Sequence, residues 1–150
     1  MFAGDLGFRV FKLDSTNIRE WDPDRNDLPK TLHESVEHLK KNRSEADILY
    51  EILLKLGLEL TVPIEDKIIA GKKVYNLGAG ALFVCLATKI VREEIEPLAD
   101  GIAAWRKELD PAGDTTVVFR DSAFDNDVAK TNLTSILQQN GFDRDRIRSL

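Results

Sequence analysis

Methionine and cysteine are nearly missing from this chain: Met1 and Cys85 are single occurrences in 150 residues. One cysteine excludes an internal disulfide. Cys85 lies inside the apolar run ALFVCLA, where a thiol serves as a small core side chain. Aromatic residues make up 7%, and no apolar run reaches the roughly 18 residues that a membrane helix needs. Five prolines and nine glycines are too few for a collagen-like or low-complexity chain. Neither sign of charge dominates. Residues 1–75 carry 12 basic and 14 acidic side chains, and residues 76–150 carry 9 and 12, so no basic or acidic arm exists. The net charge of −5 argues against a module that grips a phosphate backbone by itself. Residues 1–20 are charged throughout and have no apolar h-region, so no signal peptide is read and a cytoplasmic protein is expected.

What is present suits a soluble globular domain: 43% apolar and 31% charged residues in 16.9 kDa, enough for a single unit with its own core. GFRVFKL (7–13), rich in aromatic and β-branched residues, predicts a strand. A polar loop with Pro23 follows, in which Trp21 reads as an anchor on the core. Leu28, Leu32, Val36 and Leu39 recur at helical spacing, with Thr31 and Glu34 at capping-box distance. The clearest helix runs from a Ser44/Asp47 cap through Ile48, Leu49, Ile52, Leu53 and Leu56 to a stop at Gly57. These two helices, joined by KKNRS, predict an N-terminal helical hairpin.

Strands are expected at 67–70 and 72–77 around a tight turn at Gly71, and at 81–87 as a central strand apolar on both faces. A helical stripe of Val91, Ile95, Leu98, Ile102, Trp105 and Leu109 follows, capped by Thr88 and kinked or split at Pro97 and Gly101. TTVVFR (115–120) predicts a strand and 127–140 a helix stopped by Gly141, with RIRSL as a short last strand. The fold class is therefore α/β: a mixed sheet of about five strands, a helical hairpin before it, and a β-α-β-α portion with parallel strands after it.

No motif carries chemistry strongly. FAGDLG (2–7) has glycines of the kind that cradle a nucleotide or adenosyl cofactor, but it precedes a strand instead of opening a helix. GAG (78–80) stands between two strand-like runs and reads as a hairpin turn. His33 and His38 are five apart, on different sides of a helix, and predict no metal site. A PD…(D/E)xK nuclease pattern fails: Pro23-Asp24 has no acidic-x-Lys at the needed distance, and Glu65-Asp66-Lys67 has no upstream Pro-Asp in range. The most suggestive polar cluster is RDSAFDND (120–127), where a parallel strand gives way to a helix. Asp121, Ser122 and Asp125 would form such a site. The simpler reading makes Ser122 to Asp125, or Asp127, the cap of the next helix.

Four segments taken in order resemble one family: GFRVFKLDSTN (7–17), RSEADILYEILLKLGLELTVPIE (43–65), IAGKKVYNLGAGALFVCLATKI (69–90) and VVFRDSAFDNDVAKTNLTSIL (117–137). They resemble the C-terminal region of the modification subunit of type III restriction–modification systems, an adenine-specific DNA methyltransferase. The resemblance implies a parent enzyme that uses S-adenosylmethionine in a catalytic domain upstream. That domain would hold a DPPY-type motif for the flipped base and an FxGxG-type motif for the cofactor. Neither is in this chain: Asp22-Pro23-Asp24 is not DPPY, and FAGDLG has the wrong context. The resemblance therefore assigns no catalytic, cofactor-binding or metal residue here. It implies a non-catalytic assembly domain whose partners are the rest of the methyltransferase subunit, a second modification subunit or the restriction subunit, with DNA reached through the parent complex and no membrane. Two other readings compete: a small α/β enzyme with its site near Asp121, and a DNA-contacting module using Arg9, Lys12, Lys72 and Lys73.

Overall fold

The computed structural model describes residues 7–18 and 39–150. Its centre is one mixed sheet in the order β1-β2-β3-β4-β5: Ile64–Ile69, Lys72–Leu77, Leu82–Cys85, Thr116–Phe119 and Ile147–Ser149. β1, β2 and β3 pair antiparallel; β3, β4 and β5 pair parallel. Three helices of the described residues pack on it: α1 (Glu45–Leu56), α2 (Arg92–Leu109) and α3 (Asp127–Gln139). The expected α/β class and mixed five-strand sheet are therefore what forms.

The alternation of side chains along each strand divides the core in two. Val74, Phe83, Cys85, Val117 and Phe119 face α2 and α3, which present Ile95, Leu98, Ile102, Trp105, Leu133 and Leu137. Tyr75, Leu77, Leu82, Val84 and Val118 face α1, which presents Ile48, Leu49, Ile52 and Leu53. β3 and β4 are buried along their whole length, as the run apolar on both faces predicted. Cys85 is 1% exposed, and burial raises its thiol pKa, which keeps it a neutral core side chain.

Several local expectations are met and others corrected. Ser44 and Asp47 close a reciprocal cap on α1, and Gly57 ends it in the left-handed region at φ 69°. Ala70 and Gly71, both at positive φ, make the two-residue turn that sets Ile69 opposite Lys72. GAG is a hairpin turn: Gly78, Ala79 and Gly80 all have positive φ, and the Gly80 N–H is bound by the Asn76 side chain at 2.7 Å. Thr88 does not cap α2. The cap is Val91, whose N–H donates to the Glu94 carboxylate at 3.0 Å. Pro97 does not split α2, which runs unbroken for 18 residues; its missing N–H forfeits a single bond near the start. Gly101 is a packing glycine: a Cβ there would stand 2.2 Å from the Ile69 side chain, so its absence lets α2 settle against β1. The cap of α3 is Asn126, accepting from the Ala129 N–H at 2.9 Å, not Ser122, Asp125 or Asp127.

The largest correction concerns 7–13. It joins no ladder among the described residues. Aromatic and β-branched residues favour a strand, but a strand also needs a neighbouring edge; here Arg9 donates to the Leu60 and Val62 carbonyls and Phe11 packs on Tyr50 of α1 instead. Most of the first helix of the expected hairpin, with Trp21, Pro23, His33 and His38, lies outside the described residues. At its end, Leu39 is buried and forms an isolated bridge to Ile18. No helix of the described residues is long and apolar enough to cross a membrane.

Candidate interaction surface

The three parallel strands follow one another in chain order, and both crossover helices lie on one face of the sheet. Strand order never reverses within this parallel part, so the crevice that a reversal opens at the strands' carboxyl ends does not form there. The Asp121 corner sits at those ends and is occupied by its own contacts. Lys130 of α3 pairs with Asp121 at 2.5 Å and donates to Ser149 of β5 at 2.9 Å. Arg120 donates to the Ser122 hydroxyl at 3.2 Å, and the Asp121 N–H is bound by the Leu150 carbonyl. These bonds tie β4, β5 and α3 together. Asp121 and Ser122 are thus brought together, and each is engaged in holding the corner. Among the described residues no group of histidine, cysteine and acidic side chains is placed to hold a metal ion.

An open groove of about 700 Å³ runs between the C-terminal halves of α2 and α3, lined by Asp100, Arg106, Lys107, Asp110, Gln139 and Asn140 among others. It lies toward the opposite ends of the parallel strands from the Asp121 corner. Its central cation is committed: Arg106 donates to the Thr115 hydroxyl and to the Gly141 carbonyl, and lies over the Phe142 ring. The basic residues singled out for DNA contact do not converge either. Lys72 pairs with Glu94 of α2 at 3.1 Å, whereas Lys73, its neighbour on β2, turns to the other face beside Asp66 and Tyr75. Arg9 donates to the carbonyls of Leu60 and Val62 at 2.6 and 3.0 Å.

The described surface is most unusual along residues 7–18, a strap laid across α1. Arg9 fixes its start near Leu60 and Val62. Phe11 packs edge-on against Tyr50, with centroids 4.8 Å apart. Arg43 pairs with Asp14 at 2.6 Å, and that guanidinium hydrogen bond holds the Asp14 carboxyl down at about 2. Glu51 is the main anchor. It accepts from the Thr16 hydroxyl, the Asn17 N–H at 2.7 Å and the Asn17 side chain at 2.6 Å, and pairs with Lys55. Partial burial alone would raise its pKa, but these hydrogen bonds outweigh it and bring the carboxyl to about 2.

Between these anchors other side chains are bare. Phe8, Val10 and Leu13 are 87%, 82% and 95% exposed, and Leu54 of α1 is exposed as well. Single exposed apolar residues are ordinary; three within residues 8–13 form an unusual cluster. The sequence signal was the aromatic and β-branched enrichment of GFRVFKL. What the sequence could not show is that this run lies outside the sheet. No protein-family model, curated protein or solved structure matches this chain.

Proposed function

We propose that this chain is a non-catalytic assembly domain, the C-terminal domain of a type III restriction–modification adenine-specific DNA methyltransferase, and that it serves to pair modification subunits. The strap carries the reading: it is anchored through Arg9, Asp14, Thr16 and Asn17 while Phe8, Val10 and Leu13 stay in water. An arrangement that keeps apolar side chains exposed on a fixed backbone favours docking against protein. The four-segment resemblance supplies the family. The S-adenosylmethionine site would belong to the catalytic domain of the parent subunit, and none of the described residues is assigned to it. The engaged Asp121 corner and the dispersed basic residues give no support to the enzyme and DNA-contact alternatives.

Sedimentation equilibrium of the chain over a wide concentration range tests this directly. The expected outcome is a reversible monomer–dimer equilibrium. A monomer at every concentration would remove subunit pairing by this domain. Calorimetric titration with S-adenosylmethionine is expected to give no heat of binding; a stoichiometric isotherm would favour the enzyme alternative.

A further inference from the structure

The sheet ends on β1, whose outer edge has no neighbour among the described residues. Glu65, Asp66, Lys67 and Ile68 along it are exposed, Ile68 by 66%. An uncovered edge is a template for another strand, and charged residues restrict which strand it accepts. The cation of this edge is drawn away: Lys67 pairs with Glu108 at 2.9 Å and lies over the Trp105 ring. Asp66 meets Lys73 at the long distance of 4.0 Å. Glu65 accepts from the Asn76 side chain at 3.2 Å. The edge therefore presents two carboxylates, each with one partner on β2, beside an exposed isoleucine.

The strap has the complementary character. Residues 8–13 enter no helix and no ladder among the described residues, and they carry Arg9 and Lys12 with no acidic residue between. Arg9 binds the carbonyls of Leu60 and Val62, just before β1 begins. From there Phe11 and Asp14 carry the strap away over α1, so it does not lie along β1 of its own chain.

We infer that the strap of one copy adds to the β1 edge of a second copy, with Arg9 and Lys12 set against Glu65 and Asp66 and with Phe8 and Val10 covered together with Ile68. The two elements adjoin in each chain, so a single two-fold axis brings both reciprocal contacts together. Backbone pairing supplies the affinity and the charges select the partner. This rests on the subunit-pairing reading and names the surface that performs it.

The test uses two charge-reversed chains, Arg9→Glu/Lys12→Glu and Glu65→Lys/Asp66→Lys, each followed by sedimentation equilibrium alone and as an equimolar mixture. Each alone places like charges against each other and is expected to dimerise roughly tenfold or more weakly than the parent chain. Mixed, both reciprocal contacts again join opposite charges, and a 1:1 heterodimer of near-parental affinity is expected. A misfolded variant could not give that rescue. Dimers that form undiminished in each variant alone, or variants that stay monomeric on mixing, overturn the strap–edge contact but leave pairing by another surface standing. A parent chain that is monomeric throughout overturns both.

Discussion

Glu51 shows how one carboxylate fixes an irregular segment. Its hydrogen bonds from Thr16 and Asn17 hold the strap to α1, and they lower its pKa from 4.5 to about 2. A depressed carboxylate stabilises the folded state fully above its unfolded pKa, and that contribution is lost as pH falls through the folded value. Stability is therefore expected to decline as pH falls from about 5 toward 2, with Asp14 adding a smaller, solvent-screened share. Glu51→Gln should cost about 1–3 kcal/mol at neutral pH and flatten this acid limb in urea titrations. Gly101 is a second decisive residue. Gly101→Ala would improve helix propensity, yet its Cβ would stand 2.2 Å from the Ile69 side chain. A net loss of about 1–3 kcal/mol is expected. Combined with Ile69→Ala, the two costs should be less than additive, because the second change removes the obstructing atom.

At the level of elements, many turns and caps follow local chemistry, and one departure from it predicts an improvement. The β1–β2 turn holds Ala70 at φ 50°, where a Cβ is disfavoured. Ala70→Gly or Ala70→Asn should stabilise the chain by about 0.5–1 kcal/mol, read as a raised thermal midpoint. The Ser44–Asp47 cap works in the opposite sense. Both of its hydrogen bonds are made, at 3.2 and 2.9 Å, so Ser44→Ala should cost about 1 kcal/mol. Tyr75 ties the same end of α1 to β2 by donating to Glu45, and burial together with that bond raises its phenol pKa. The link contributes to docking α1 on the sheet.

For the whole molecule, two clusters share one sheet, so α1 on one face and α2 with α3 on the other depend on the same strands. Phe83 is fully buried on β3 and packs edge-on against Trp105 at 5.3 Å, so Phe83→Ala should cost about 3–5 kcal/mol and weaken both faces together. Val10 gives the contrasting case. It is 82% exposed, so Val10→Asp should leave the thermal midpoint of the monomer nearly unchanged while weakening self-association in sedimentation. A change that lowers stability and association equally would place Val10 in the core of the monomer instead.

The sequence by itself determined the elements whose periodicity is local. Ile48, Leu49, Ile52 and Leu53 mark one face of α1, Gly57 stops it, and the apolar run at 81–87 predicts a strand buried on both sides, which forms at 82–85. The β-α-β-α order of the second half, with RIRSL as a short last strand, was legible along the chain; that both crossovers share one face follows from the strand order the fold adopts. Tertiary structure decided the rest. GFRVFKL has the composition of a strand, but pairing depends on whether an edge lies within reach; Arg9 is held by the Leu60 and Val62 carbonyls and Phe11 by Tyr50, while Thr16 and Asn17 just beyond bind Glu51 of α1. RDSAFDND has the residues of a site, but Lys130 of α3 engages Asp121, and Arg120 of the same run donates to Ser122. Side-chain period is written in neighbouring residues; edges, partners and exposure arise only when distant segments meet.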